Sequence, residues 1–419
     1  MSRTTTWGRD AHQLLTLDQA WNIIRAQVKP LGIETVPLAN AHRRVLVAPV
    51  VAENDAPAFD KAMMDGYAVR SADGAQPGAT LRVCGLVAAG EAVSTTLGVG
   101  EAIQINTGAP VPKGADAVVR IEDTRLASNG TTVALLVAPR PGMNISLRAA
   151  DRRRGDTVLT PPLRLEAVHL AAAASAGASM LTVSRIVDVA LLTTGNELVP
   201  AGSPRRPGQI HESNGLMLSA LVRQFDAVPH DFGIARDTIV ELRPKLVAAM
   251  CHPVVIVSGG MSMGTLDLVP KVLSELGVQW LFHGVDMRPG KPVAYGRGPD
   301  GQHVVGLPGN PVSAFVCAWL FARMILRGLS GLPTEPPTTI RVRLASDLKL
   351  AKDPRPAFIP AKVWNDAANG LTVQPVAWGG SGDPFGLALA NALLCRRDPT
   401  NPRSVGDAVD VIFLGELGA

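Results

Sequence analysis

Six short segments of this 419-residue chain carry residue types that can hold or activate an anionic ligand. Ser258-Gly259-Gly260-Met261-Ser262-Met263-Gly264 follows the apolar run VVIV. Its glycines leave backbone N–H groups free to approach an anion at a helix start. The segment lacks the lysine of a P-loop and the G-x-G-x-x-G of a dinucleotide site, so alone it reads equally as a connector without a ligand. Gly306-Leu307-Pro308-Gly309-Asn310-Pro311 ends the run HVVGL, with Asn310 suited to a helix N-cap and Pro311 to the first helical position. That capped end serves as a structural stop or as an anion site. Thr193-Thr194-Gly195-Asn196-Glu197 follows VDVALL, and read singly Glu197 is a helix-cap acid. Asp237 in GIARDT and Asp267 in GTLDL follow comparable strand ends, and Arg288-Pro289-Gly290-Lys291-Pro292 adds two cations held by prolines.

Acids and cations gathered at one sheet edge suggest a specific chemistry. Bare carboxylates repel an oxyanion such as phosphate. The combination is explained if Glu197, Asp237 and Asp267 hold Mg²⁺, which bridges to substrate phosphates through oxygen ligands. The alternative is that these charges pair among themselves as salt bridges.

The elements that must position these groups are legible around them. In an open α/β sheet, ligands sit beyond the carboxyl ends of the strands. From Ile186 onward VDVALLTTG, NGLMLSALVRQF, VVIVSGG, LVPKVLSELG, HVVGLPG and PVSAFVCAWLFARMIL alternate strand with helix, which predicts a parallel, doubly wound sheet. The last helix is apolar nearly all round and so is expected to be buried. Upstream, Thr16 and Gln19 form a capping box for a helix from about Leu17 to Val28, with Leu17, Ala20, Ile24 and Val28 as its apolar stripe. From about 80 to 147, short alternating strands with an Asn129-Gly130 turn predict an all-β insert, and the Ala-rich LEAVHLAAAASAGA predicts a helix after it. Beyond Gly331-Leu332-Pro333 the chain returns to alternating strands with an Asn369-Gly370 turn, a second small β domain.

Composition sets the outer bounds. With 47% apolar and 18% charged residues the chain is a folded protein, and its length calls for two to four domains. Aromatics are only 4%, so the cores are aliphatic. The net charge of +4 has its one tight cluster at Arg152-Arg153-Arg154 with Arg148 upstream, which is a solvated loop or small anion site rather than a nucleic-acid face. The best apolar run, Ala314 to Leu326, contains Arg323 and falls short of a membrane span, and the N-terminus lacks the apolar core of a signal peptide. Cys84, Cys251, Cys317 and Cys395 are scattered, which predicts neither a zinc site nor a disulfide framework and suits the reducing cytoplasm.

Pro57-Ala58-Phe59-Asp60-Lys61-Ala62-Met63-Met64-Asp65-Gly66-Tyr67-Ala68-Val69-Arg70 resembles the signature of the molybdopterin molybdenumtransferases, the MoeA and gephyrin E-domain family. Asn106-Thr107-Gly108-Ala109-Pro110-Val111-Pro112, SGGMSMG, RPGKP, GLPGNPVS and, in the tail, LALANALL follow in that family's order. The resemblance implies an elongated homodimer of four-domain subunits. The four domains are a mixed linker domain (31–55 and 148–184), a β-rich insert (56–147), a MogA-like molybdopterin-binding α/β domain (185–332), with which an N-terminal helix (1–30) packs, and a C-terminal β-barrel-like domain (333–419). It implies that adenylylated molybdopterin and molybdate, with Mg²⁺, give molybdenum cofactor and AMP, and that molybdopterin adenylyltransferase is the upstream partner.

Carried over by position, Asp65, Asp151, Glu197, Asp237, Asp267 and Lys291 match catalytic positions. Thr107, Ser258, Gly259, Gly260, Ser262, Gly264, Arg288, Pro308, Gly309, Asn310 and Pro311 match cofactor-binding ones. By the same resemblance the acids ligate Mg²⁺, the glycine turn and helix N-termini hold pterin and phosphates, and Arg288 and Lys291 attract molybdate. The sequence departs from the family pattern in several places. Asn196 stands where Asp is usual, Ser146, Ala149 and Ala150 replace the Arg and Gly-Glu of the usual pattern before Asp151, and Gly284 stands where some members carry Lys. A tungstate-using or weakened paralogue and a non-catalytic cofactor carrier or scaffold remain alternatives.

Overall fold

The structure, a computed structural model, describes residues 14–261, 268–349, 353–398 and 400–415. Ser262, Gly264 and Asp267 lie outside the described residues. The chain forms two compact units, one of residues 1–34 with 184–419 and one of residues 35–183.

The first unit is built on a six-stranded sheet of β1 (Asp188–Thr194), β2 (Val228–Ala235), β3 (Val254–Ser258), β4 (Gln279–His283), β5 (Ala294–Arg297) and β6 (His303–Leu307), in the order β2-β1-β3-β6-β5-β4. The first four of that order run parallel, as the alternating strand–helix pattern predicts. The β6-β5-β4 edge is antiparallel, which corrects the expectation of an all-parallel sheet. QWLFH and AYGR pair with each other across a long connection, so no helix crosses between them.

Helices α1 (Asn214–Gln224), α2 (Ile239–Ala249), α3 (Leu268–Glu275) and α4 (Pro311–Leu329) cover the sheet. Strand periodicity decides which face each covers. Val189 and Leu191 of β1 point into a core with Leu218, Val222 and α4, while Ala190 and Leu192 point into one with Leu242, Leu246, Val269 and Leu273. A sheet buried on both faces needs apolar residues at every strand position, and VDVALL, VVIV and HVVGL supply them. Helix α4 is long and apolar enough to cross a membrane by composition, yet 83% of its apolar window is buried in this core. The N-terminal helix Leu17–Gln27, closed by the Thr16–Gln19 capping box, buries Leu17, Ala20, Trp21 and Ile24 in the same core as α4.

The tail forms a closed barrel of β7 (Ile340–Leu344), β8 (Ala357–Asp366), β9 (Gly370–Pro375), β10 (Ala392–Arg396) and β11 (Ala408–Phe413), in the order β7-β9-β8-β10-β11. The Asn369-Gly370 signal is the β8–β9 turn, with Gly370 at φ 71°. Alternation along β10 gives the barrel two roles. Leu394 fills its interior with Val363, Val373 and Val411, whereas Leu393 and Cys395 face the core of the α/β domain.

The second unit holds a six-stranded sheet in which Gly66–Val69 lies between Ala117–Arg120 and Glu101–Ile105, followed by Thr80–Val87, Thr132–Leu135 and Thr124–Leu126. The Asn129-Gly130 turn joins the last two. The Ala-rich segment forms the helix Ala167–Ser175, packed with Leu46, Leu165 and Val183 beside a four-stranded sheet.

The loop ahead of Asp151 shows the cost of one departure from the family pattern that the sequence resembles. Ala149 sits at φ 60°, held by its N–H donating to the Pro57 carbonyl (2.9 Å), in the left-handed region where a Cβ is unfavourable. The glycine usual at this position has no such penalty. Ala149→Gly is expected to stabilise the chain by about 0.5–1 kcal/mol, the left-handed penalty less the extra unfolded-state entropy of glycine. A thermal melt no higher than that of the parent contradicts this.

Candidate functional site

Four parallel strands bring their carboxyl ends to one crevice of about 860 Å³. β1 delivers Thr193, Thr194, Gly195 and Glu197; β2 delivers Asp237; β3 delivers Ser258, Gly259 and Gly260; β6 delivers Pro308, Gly309, Asn310 and Pro311. The ends are tied laterally, Gly259 N–H donating to the Leu307 carbonyl (3.1 Å) and Gly195 N–H to that of Ala235 (3.1 Å). The glycine turn is a steric requirement as well as a conformational one. Gly259 has φ 95°, and a Cβ there would lie 2.3 Å from the Thr194 carbonyl oxygen. At Gly260, with φ 61°, it would lie 2.8 Å from both Thr194 Oγ1 and Val269. Such close approach leaves no side chain between the backbone and a ligand.

Asn214, the first residue of α1, is a site residue that sequence reasoning missed. It is buried, and its Nδ2 donates to Ser258 Oγ (2.9 Å) and to the Gly309 carbonyl (2.8 Å), which orients its amide. Asn214 Oδ1 and Thr194 Oγ1 are then buried without a hydrogen-bond partner among the described residues, and both residues line the crevice. Buried polar groups left unpaired in a native fold call for an explanation, and a polar ligand in the crevice supplies one. Glu212 was missed as well. It lines the crevice, and burial pushes its carboxyl above the usual range against the lowering effect of hydrogen bonds from the Gly215 and Asn214 amides. The signal was present as Glu-Ser-Asn at a helix start, where polar residues read as caps.

Glu197 does not cap α1. The ladder Leu198–Val199 with Ile210–His211 intervenes, and Glu197 is an exposed acid on the crevice wall. Asn196 bridges two strand ends, its Oδ1 accepting from Asp237 N–H (3.2 Å) and its carbonyl from Arg236 Nη1 (3.4 Å). An aspartate carries the same side-chain acceptor, so this bridge is available to either residue. Asn310 occupies the N-cap of α4 with extended backbone, but its side chain does not cap the helix. Its Nδ2 donates to Ser381 Oγ (3.0 Å), which brings the segment before β10 to the crevice, where Gly382, Pro384 and Phe385 join the wall.

Arg288 and Lys291 take a different place from the one expected. Because β4 and β5 are antiparallel, RPGKP is their connection rather than the end of a parallel strand. Its cations line an adjoining cavity of about 280 Å³ with Ser313, Arg355 and Trp378. Pro292, Pro308 and Asn310 line both spaces. Gly290, at φ 109°, packs so closely on α4 that a Cβ would meet Cys317 Sγ at 2.4 Å. Arg355 is engaged by Asp353, which the guanidinium holds well below the usual carboxylate range. Among the described residues, Glu197, Arg288 and Lys291 form no salt bridge, so for these three the mutual-pairing alternative does not hold. Gly284, at φ 94°, turns the chain after β4 with Leu14 close by, so a lysine there would be backbone-strained.

In the second unit, Asp65 and Thr107 come together. The antiparallel pairing of Gly66 with Ile105 sets them side by side, and Thr107 N–H donates to Asp65 Oδ1 (2.7 Å). Asp151 is exposed, its N–H fixed to the Ala56 carbonyl (2.9 Å). The basic cluster beside it is an ordered loop. Arg148 Nε donates to Asp55 Oδ2 (2.5 Å) and Arg154 N–H to Asp55 Oδ1 (2.8 Å), which hold the Asp55 carboxyl below its usual range.

Comparison with known proteins finds similarity over most of the chain. Residues 15–177 match the MoeA N-terminal region (domain I and II), 190–328 a probable molybdopterin binding domain, and 341–414 the MoeA C-terminal region (domain IV). A molybdopterin molybdenumtransferase of Nostoc sp. is 36% identical over 411 residues, 95% of this chain and 92% of that protein. One of Staphylococcus epidermidis is 33% identical over 378 residues, 88% of each. The crystal structure of the molybdopterin biosynthesis MoeA protein from Pyrococcus horikoshii OT3 superposes with a TM-score of 0.79 at 27% identity, covering 96% of this chain and all of that one. With sequence motifs, fold and relatives in agreement, the chain belongs to the molybdopterin molybdenumtransferase family, a family of transferases.

Proposed function

We propose that this chain inserts molybdenum from molybdate into adenylylated molybdopterin in the presence of Mg²⁺, yielding molybdenum cofactor and AMP. The observation that carries the reading is the pairing of two adjoining spaces, the larger with the acids Glu197, Glu212 and Asp237 beside Arg205, the smaller with cations. A crevice bearing Glu197, Asp237 and a glycine turn adjoins a smaller cavity bearing Arg288 and Lys291. The crevice takes the pterin and its phosphates, with Asn214 and Thr194 available to its polar edges and the Gly259–Gly260 amides to its oxygens. The adjoining cations attract the molybdate dianion to the shared Pro292–Pro308–Asn310 boundary.

No group of three metal-ligating side chains occurs among the described residues. Mg²⁺ nonetheless suits the donors present, because it binds through one or two carboxylates together with substrate phosphates and water. Glu197 and Asp237 would hold it, and Asp267 by its place in the sequence. When bound, Mg²⁺ neutralises phosphate charge and polarises the phosphoryl linkage. The direct test is incubation of the purified protein with adenylylated molybdopterin, molybdate and Mg²⁺, following AMP release. Absence of AMP release under these conditions overturns the reading and favours a carrier role.

Lys291→Ala separates the two spaces. It is expected to raise the apparent molybdate requirement by about tenfold while leaving pterin binding unchanged, since a fixed cation mainly supplies attraction for a dianion. A change confined to pterin affinity would remove molybdate from this cavity. We further propose that the protein works as a cytoplasmic homodimer downstream of molybdopterin adenylyltransferase. A monomeric mass in solution by light scattering rejects the dimer.

A further inference from the structure

The lining of the main crevice is chemically divided. Thr193, Thr194, Ser258 and Asn214 are buried polar groups beside the glycine turn, whereas Phe385 supplies the one phenyl ring among the described lining residues and is 82% exposed. The fold does not require a ring at this position. Phe385 stands in the short helix Pro384–Ala388, which is held by its neighbours. The Asp383 carboxylate accepts from the Phe385, Gly386 and Gly379 amides (3.0, 3.1 and 2.7 Å), and Leu387 is buried in the core. A Cβ at Gly386 would lie 2.4 Å from that of Trp378, so the turn is tightly packed. The segment before it is anchored to the start of α4, where Val312 N–H donates to the Ser381 carbonyl (3.0 Å) and Asn310 Nδ2 to Ser381 Oγ (3.0 Å). The phenyl ring is thus presented from a hydrogen-bonded backbone on the crevice wall while contributing almost no burial to folding. Its apolar surface becomes favourable only when something covers it. A preset ring also costs little conformational entropy when it binds.

We propose that Phe385 is a stacking platform for a flat heteroaromatic ring of the substrate, with Ile210, 51% exposed on the same lining, adding apolar cover. This rests on the proposed function, in which the substrate carries two such rings, pterin and adenine, joined through phosphates. A ligand of that kind divides as the lining divides, with oxygens toward the glycine amides and a ring face toward the phenyl group. Stacking between a ring and an aromatic side chain needs no hydrogen bond and is lost on truncation to alanine.

The test is calorimetric titration of the parent, Phe385→Ala, Phe385→Leu and Phe385→Trp with AMP and, separately, with molybdopterin. The expected result is a loss of affinity of about tenfold in the Ala and Leu variants, restored in the Trp variant, for one of the two ligands. Loss for AMP assigns the platform to adenine, and loss for molybdopterin assigns it to the pterin. Unchanged affinity of every variant for both ligands overturns the platform. So does full retention by the Leu variant, which leaves only apolar cover, and so does equal loss for both ligands, which marks a general change at the cavity mouth. A parent protein that binds neither ligand overturns the functional reading itself, and the platform with it.

Discussion

Asp237→Asn is expected to lower AMP release by about tenfold or more while binding of adenylylated molybdopterin persists. The substitution is isosteric and removes a charge. The backbone bond that positions the residue, from its N–H to Asn196 Oδ1, does not involve the altered side chain. The crevice should lose one of the carboxylates able to hold a divalent cation. A metal role makes a further demand that a general electrostatic role does not, namely that raising the Mg²⁺ concentration recovers part of the lost turnover. Glu197→Gln carries the same expectation. So does Asp267→Asn, on the strength of its sequence position. Parental turnover in the Asp237 and Glu197 variants, or a loss insensitive to Mg²⁺, removes the metal assignment.

Gly259→Ala is expected to be more damaging than its size suggests. Two costs coincide at this residue, a φ of 95° that disfavours any Cβ and a Cβ position only 2.3 Å from the Thr194 carbonyl oxygen. The Thr194 carbonyl belongs to the end of β1, beside its lateral ties to β2 and β3, and cannot move without disturbing the crevice floor. We expect a stability loss of about 2–4 kcal/mol and a fall in AMP release of about a hundredfold. Gly202→Ala is the matched control. Its φ of 80° imposes a similar backbone penalty, but no atom of the described residues lies within 4 Å of the added methyl. That variant should lose only about 1 kcal/mol and keep its turnover. Equal behaviour of the two variants would show that backbone strain alone, not the close approach of β1, explains the glycine.

Much of the crevice is legible in the sequence because three of its four contributing strands, β1, β3 and β6, are short apolar runs stopped by glycine or proline. VDVALL, VVIV and HVVGL are apolar at both parities, which only a sheet covered on both faces requires, and the residues that terminate each run must lie at the sheet edge. The β4–β5 pair escaped because QWLFH and AYGR are brief and their connection is dominated by prolines, so they read as loop and not as a reversal. That omission moved Arg288 and Lys291 from the acidic crevice to the cavity beside it. Asn214 escaped for a different reason. A polar residue at the first turn of a helix has a sufficient local role, and only the spatial meeting of α1 with β3 and β6 shows that its amide serves them instead. Ser381 and Phe385 could not have been placed at all. They reach the crevice through the packing of the barrel on the α/β core, a relation between segments distant in sequence with no local periodicity to record it.

The core that seats α4 draws on Trp21 and Ile24 near one end of the chain and on Leu393 and Ile412 near the other. Residues 35–183, by contrast, are contiguous and carry their own apolar clusters. During synthesis from the N-terminus, that middle stretch can close before the partners of Trp21 have been made. The opening helix must wait for α4 and the barrel, and the part of the α4 core that Leu393 and Ile412 complete stays uncovered until those strands emerge. The nascent chain therefore passes through a stage in which its most apolar helix is complete and its cover is not, the stage at which an aggregation-suppressing chaperone would matter most.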